Sequence, residues 1–168
     1  MPNIPKQTQF DVDGSKAVSS VLMSLLNQFP GLGTRAVKFN TLEESAGIGF
    51  FPTSGAAIQS SRTNIRGHVK QVCLYPFTIV YRSSPKTEDQ RLRIKEFLDA
   101  LGSWLELQPV TINGTEHKLT VYPSLNSGKR EIKAITQTNP AHLNQPYQDG
   151  VEDWAMSATL QYDNEFDK

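Results

Sequence analysis

Few side chains in this sequence are placed to do chemistry. His68, His117 and His142 stand far apart, and none has a second ligand at metal-binding spacing. No H-E-x-x-H and no cysteine pair occurs, so no zinc signature is present. The one cysteine, Cys73, lies in the most apolar run of the chain and reads as a buried, inert thiol. "GLGTR" at 31–35 holds a Gly-x-Gly, but it follows a helix pattern and lacks the third glycine of a pyrophosphate cradle, so it reads as a helix stop. There is no G-K-[ST] loop and no G-x-S-x-G elbow. Glu43–Glu44 and Glu152–Asp153 are adjacent carboxylates. Neighbours in a strand point to opposite faces, so neither pair can share acid/base work, and both read as solvated charge. No catalytic residue, metal or cofactor is expected.

One charged cluster remains. "SSRTNIRGHVK" at 60–70 carries Arg62, Arg66 and Lys70 with no acidic residue among them. Its Ser, Thr and Gly content reads as a loop, either simply solvated or in contact with phosphate or an acidic partner surface. No aromatic is interleaved, which argues against base stacking. Seventeen basic residues balance seventeen acidic ones, so the whole chain has no field to recruit nucleic acid or an anionic membrane.

The elements around these residues follow from periodicity. Val18, Val21, Leu22, Leu25, Leu26 and Phe29 make one apolar stripe at helical spacing, with Ser15 as the expected cap and Pro30-Gly31 as the stop. "RAVKFN" and "GIGFFPT" predict short strands, and the tract that follows reads as a mobile loop or one ordered by a partner. From Val69 to Tyr81, Cys73, Tyr75, Phe77, Ile79 and Tyr81 alternate with Val72, Leu74 and Val80. A strand apolar on both faces must be covered twice, by its own helices and by something else. Pro76 removes a ladder donor and predicts a sheet edge or a bulge there. Thr87 with Gln90 forms a capping-box pattern ahead of Ile94, Phe97, Leu98, Leu101 and Leu105, with Trp104 at the margin. "HKLTVYP" and "REIKAITQT" predict strands, the first preceded by an Asn113-Gly114 turn, and "NPAHLNQPYQDGVED" predicts a loop. Trp154, Met156, Ala158, Leu160 and Tyr162 alternate with polar or small residues in a final half-buried strand. No stretch approaches eighteen consecutive apolar residues and no signal region opens the chain, so a soluble cytoplasmic product with no membrane partner is expected. The fold class is α+β: a mostly antiparallel sheet with two amphipathic helices on one face. Its organisation is a flexible arm at 1–14 and one domain over 15–168 with an extended loop region near 40–67.

This layout resembles the tail terminator proteins of long-tailed bacteriophages, also called minor capsid or minor tail proteins. The likeness spans about residues 15–166. It rests on the N-terminal helix, "CLYPFTIVYR", the helix "TEDQRLRIKEFLDALGSWLE", and "DGVEDWAMSATLQYDNEF" closing the chain after an acidic turn. The resemblance implies a structural protein of the virion, not an enzyme. Its subunits form a ring, a hexamer in the family, on the last ring of tail tube protein. The ring stops tube growth and offers a surface to the head connector or head-completion protein, and DNA only passes through its channel. The expected location is the head-proximal end of the tail, with assembly in the host cytoplasm. Tyr75, Tyr81 and Trp154 are then candidate subunit contacts, with core packing the equal alternative, and Arg62, Arg66 and Lys70 face a neighbour or the channel. The competing readings are another virion part, such as a head-completion or tube subunit, and a small-molecule-binding or catalytic α+β domain.

Overall fold

A computed structural model of the chain describes residues 7–168. In chain order it has α1 (Val12–Leu26), a 3-10 turn (Pro30–Leu32), β1 (Val37–Phe39), β2 (Gly47–Pro52), β3 (Ala57–Thr63), β4 (His68–Ser83) and α2 (Glu88–Leu105). Then come β5 (Val110–Ile112), β6 (Thr115–His117), β7 (Lys129–Pro146) and β8 (Glu152–Asp167). The main sheet runs β1-β2-β4-β8-β7, with β3 also paired to β4. Among the described residues, β1–β2 is the one parallel pair of this sheet. This is the expected α+β architecture.

Both helices pack on one face of that sheet. Val18, Leu22, Leu25 and Leu26 of α1 and Ile94, Leu98, Leu101 and Leu105 of α2 share a core with Cys73, Tyr75, Phe77 and Ile79 of β4. Met156, Ala158, Leu160 and Tyr162 of β8 complete it. Phe29 joins the two helices, its ring 5.5 Å from Phe97 and 5.4 Å from Trp104. Trp104 is therefore buried in the core, not at a margin.

The helix starts differ from expectation in instructive ways. α1 begins three residues before Ser15, because Asp11 caps it through the Gly14 N–H at 3.1 Å. Ser15 Oγ instead accepts the Ala56 N–H at 2.6 Å, tying the helix to the strand region. Of the expected arm, residues 12–14 are helical and Phe10 bridges Ala57; residues 1–6 lie outside the described residues. At α2, Thr87 accepts the Gln90 N–H as expected, while the Gln90 side chain reaches back to the Lys86 N–H at 2.6 Å.

β4 is the central strand, not an edge. It pairs with β8 without interruption from His68↔Asp167 to Ser83↔Glu152. On its other flank β3 covers residues 69–74 and β2 covers residues 77–82, so Tyr75 and Pro76 face the gap between them. The Pro76 carbonyl accepts the Thr53 N–H at 2.9 Å across that gap. In an antiparallel sheet the N and C=O of one residue address the same flank. The donor that Pro76 lacks thus falls where the neighbouring chain is passing from β2 to β3, so no ladder bond is lost.

About half of the expected loop region near 40–67 is sheet, since β2 and β3 both fall within it. "HKLTVYP" is not a strand beyond His117; the Asn113-Gly114 turn joins the short β5–β6 hairpin, with φ of 50° and 79° at its two residues. Nor is "NPAHLNQPYQDGVED" mostly loop. β7 continues through Pro146 by shifting register repeatedly, once around Pro140, and only the residues around Tyr147–Val151 turn back.

Candidate functional site

At one end of the sheet, the end of β4 meets the start of β8 in a dense polar cluster. Arg82 donates through Nε and Nη2 to the two oxygens of Asp153, at 2.7 and 2.8 Å. Tyr147 Oη donates to Asp153 at 2.9 Å and accepts from Arg82 at 3.3 Å, while Arg82 Nη1 reaches the Glu43 carbonyl at 3.1 Å. Burial works against the Asp153 charge, but the hydrogen bonds from Arg82 and Tyr147 outweigh it and hold the carboxyl below its ordinary range. Glu152 points the other way, to Arg91 Nε at 3.0 Å and Trp154 Nε1 at 3.2 Å. The adjacent carboxylates therefore do face opposite sides, but they are buried in ion pairs and not solvated. Each is matched to a permanent cation, so the cluster fixes the β7–β8 hairpin to β4 and α2.

Beside it lies Arg35, which reading "GLGTR" as a helix stop missed. Its guanidinium donates to the Leu32 and Gly31 carbonyls and to Tyr81 Oη, at 3.0, 2.9 and 2.6 Å. It also stacks 4.7 Å from the centre of the Phe97 ring. A cleft of about 340 Å³ opens here, with Arg35, Lys38, Leu42, Ile48, Tyr81 and Arg82 on its walls. Tyr81 is half-buried in this arrangement and Trp154 is half-buried beside Glu152. Both keep part of their surface at the solvent boundary, as a contact residue must.

Tyr75 does not. It is fully buried, and its hydroxyl shares a 2.7 Å hydrogen bond with Ser19. Of the two roles open to it, core packing is the one it fills. Cys73 is also buried, and burial pushes its thiol up from the ordinary value. Next to it, Tyr162 donates to Asp11 at 2.7 Å, and Arg130 grips both oxygens of Asp11 at 2.9 Å. Burial opposes the Asp11 charge, yet the bonds from Arg130, Tyr162 and the Gly14 N–H keep its carboxyl below the ordinary range. One side chain thus caps α1 and anchors it to β7 and β8.

The basic segment 60–70 lies at the far end of the sheet as the β3–β4 hairpin, not a loop. Lys70 sits 3.5 Å from Asp163 and 3.9 Å from Glu165, and His68 Nδ1 lies 2.9 Å from Asp167. The His68 hydrogen bond holds the Asp167 carboxyl below its usual range. Arg62 and Arg66 are exposed and, among the described residues, form no ion pair. The three basic residues therefore separate: one is tied down and two are free. His142 Nδ1 lies 2.8 Å from the Pro140 carbonyl, and His117 closes the β5–β6 hairpin. Among the described residues, no three His, Cys, Asp or Glu side chains gather as metal ligands. No helix there is long and apolar enough to cross a membrane.

Among the described residues, no helix packs on the second face of the central sheet. Val72, Leu74, Pro76 and Val80 of β4 form a half-buried apolar stripe, bordered by Ser157, Thr159 and Gln161 of β8. No protein-family model matches the chain, and no curated protein shows significant similarity to it. The side chains of the molecule itself must carry its functional reading.

Proposed function

We propose that this chain is a structural subunit of a phage tail, a terminator that assembles into a homo-oligomeric ring on the tail tube. The ring stops tube growth and presents its other side to the head connector, and the protein acts by contact without transforming a ligand. The observation that carries this reading is the apolar stripe of Val72, Leu74, Pro76 and Val80, which among the described residues has helices behind it on the other face of the sheet and none over it. A strand with apolar residues on both faces is built for cover on both sides. A neighbouring part of the virion supplies the second cover. The order of elements, closing on the amphipathic β8 after the acidic turn at 149–153, is the one on which the resemblance to the tail terminator family rests. The polar clusters at the sheet's end suit the same role, since they hold the hairpin rigid and so preserve the shape that a ring must match.

Electron microscopy of the purified chain mixed with its cognate tube protein tests this. Closed rings, and tube ends that no longer elongate, are the expected result. Continued tube growth in the presence of excess chain, or tails of normal length from a phage lacking the gene, would overturn the reading.

A further inference from the structure

The two ends of the sheet carry opposite charges that find no ion-pair partner among the described residues. At one end, the turn between β3 and β4 is a fixed knob. Asn64 Oδ1 accepts the N–H groups of Arg66 and His68 at 2.9 and 3.0 Å, and Asn64 N donates to the His68 carbonyl at 2.9 Å. Gly67 closes the turn at φ 83°, a conformation that glycine takes without strain. This frame holds Ile65 wholly in solvent, with Arg66 beside it and Arg62 near the end of β3. His68 and Lys70 next to them are already engaged by Asp163, Glu165 and Asp167.

At the opposite end, the β1–β2 connection and the β7–β8 turn border an open cleft of about 470 Å³. Its wall includes the exposed ring of Tyr147 and the buried Val151, and Glu44 and Asp149 stand exposed at its rim. Among the described residues, neither rim carboxylate has a cation partner, while Arg82 beneath them is committed to Asp153. The register of β4 on β8 keeps knob and cleft apart, since His68 lies opposite Asp167 and Ser83 opposite Glu152. A strand of that length spans about 50 Å, so the two cannot meet within one chain.

We infer that the Ile65–Arg66 knob of one copy seats in the Glu44–Tyr147–Asp149 cleft of the next. The inference rests on the ring reading above and names the surfaces by which copies join. Ile65 supplies the apolar insertion against Tyr147, and Arg62 and Arg66 meet Glu44 and Asp149 at the rim. Each copy carries one knob and one cleft with two matched charges apiece. The contact uses unlike surfaces of identical chains, so it repeats head to tail and closes when the rotation permits. The rim charges set register and reject a mispaired neighbour more than they add affinity.

Charge exchange tests the pairing. The wild type, the Arg62→Glu/Arg66→Glu variant, the Glu44→Lys/Asp149→Lys variant and the fourfold exchange are compared for ring yield with tube protein by electron microscopy. Each twofold reversal is expected to lower ring yield at least tenfold, and the fourfold exchange to restore it. Asp149→Asn keeps a side-chain oxygen for the Val151 N–H and separates lost charge from a lost turn; with Glu44→Gln it is expected to give an intermediate yield. Rings at wild-type yield from either reversed protein, or no recovery in the fourfold exchange, would overturn this contact while leaving the ring reading intact. Absence of rings from the wild type itself would remove the ring reading, and the inference with it.

Discussion

The two faces of β4 carry comparable sequences and serve opposite ends. On one face Cys73, Tyr75, Phe77 and Ile79 are sealed under α1 and α2, and the Phe77 ring packs edge-on to Phe50 at 5.5 Å. On the other, Val72, Leu74, Pro76 and Val80 remain partly exposed to solvent. The same strand thus anchors the fold with its odd-numbered side chains and offers a surface with its even-numbered ones. The two faces teach that apolar content alone does not locate a core. What decides is whether the chain returns to cover it, and here it returns only once.

The largest expected effect breaks the covered face. Phe77→Ala should destabilise the chain by about 3–5 kcal/mol, the range for deleting a fully buried aromatic that leaves a cavity. Equilibrium denaturant unfolding reads this directly, and a loss below 1 kcal/mol would show that the helices do not seal this face as tightly as the packing implies. Next comes the clamp at the strand's end. Arg82→Ala leaves the buried Asp153 carboxylate without its bidentate partner, and a loss of about 2–4 kcal/mol is expected from the penalty of an uncompensated buried charge. Replacing the exposed Arg62 in the same way should move stability by no more than about 0.5 kcal/mol.

The buried carboxylates also set a pH dependence. Asp11 and Asp153 both have folded-state pKa values below the ordinary carboxylate value. Groups of this kind contribute stability that is fully present above about pH 4, the ordinary unfolded value, and is lost as pH falls through the lower folded values. The thermal midpoint should therefore be level from neutral pH down to about pH 5 and fall below it. Asp11→Asn should lower the neutral-pH midpoint and flatten that fall, because the anchor to Arg130 and Tyr162 no longer depends on a charge. An unchanged acid limb in this variant would mean that other groups govern acid unfolding.

Much of the scaffold was legible because its signal is periodic. The stripes of α1 and α2 and the alternation of β4 and β8 record buried faces, and all four elements form over these patterns, α1 starting before Ser15 and ending before Phe29. β3 left no such record. From Gln59 to Thr63 its side chains are exposed, so it is held by main-chain pairing to β4 and has no apolar alternation to display. The second half of β7 was hidden by Pro140 and Pro146, which it accommodates in shifted register and at its end. Pro76 misled for a different reason: a missing donor reports one unpaired position on one flank, whereas the expectation was a missing flank or a bulge. The charged cluster was illegible because its pairs are distant in sequence. Arg82 and Asp153 are 71 residues apart, and nothing local distinguishes Asp153 from a solvated turn residue. The cation run at 60–70 splits for the same reason: Arg62 and Arg66 are exposed, while Lys70 meets Asp163 and Glu165, acids distant in sequence.

A milder change on the open face sharpens the contrast between the faces most. Leu74 lies on the open face, half-buried opposite Gln161, one residue from the fully buried Tyr75. The isolated chain already takes the larger part of this side chain from water but leaves its outer side exposed, so Leu74→Ala should cost about 1–2 kcal/mol, less than Phe77→Ala. Leu74→Asp should be nearly as mild in the isolated chain, because the new carboxylate keeps access to solvent on a face without a helix. If that face is covered by another part of the tail, the same carboxylate must be dehydrated at the contact, and capping of the tube should fail while the thermal midpoint barely moves. A variant that still caps tubes at wild-type efficiency would show that the open face stays open in the assembled tail. A variant that unfolds would show that the face is a second core. The covered and uncovered faces are different in function only if Leu74→Asp separates folding from assembly, which Phe77→Ala cannot do.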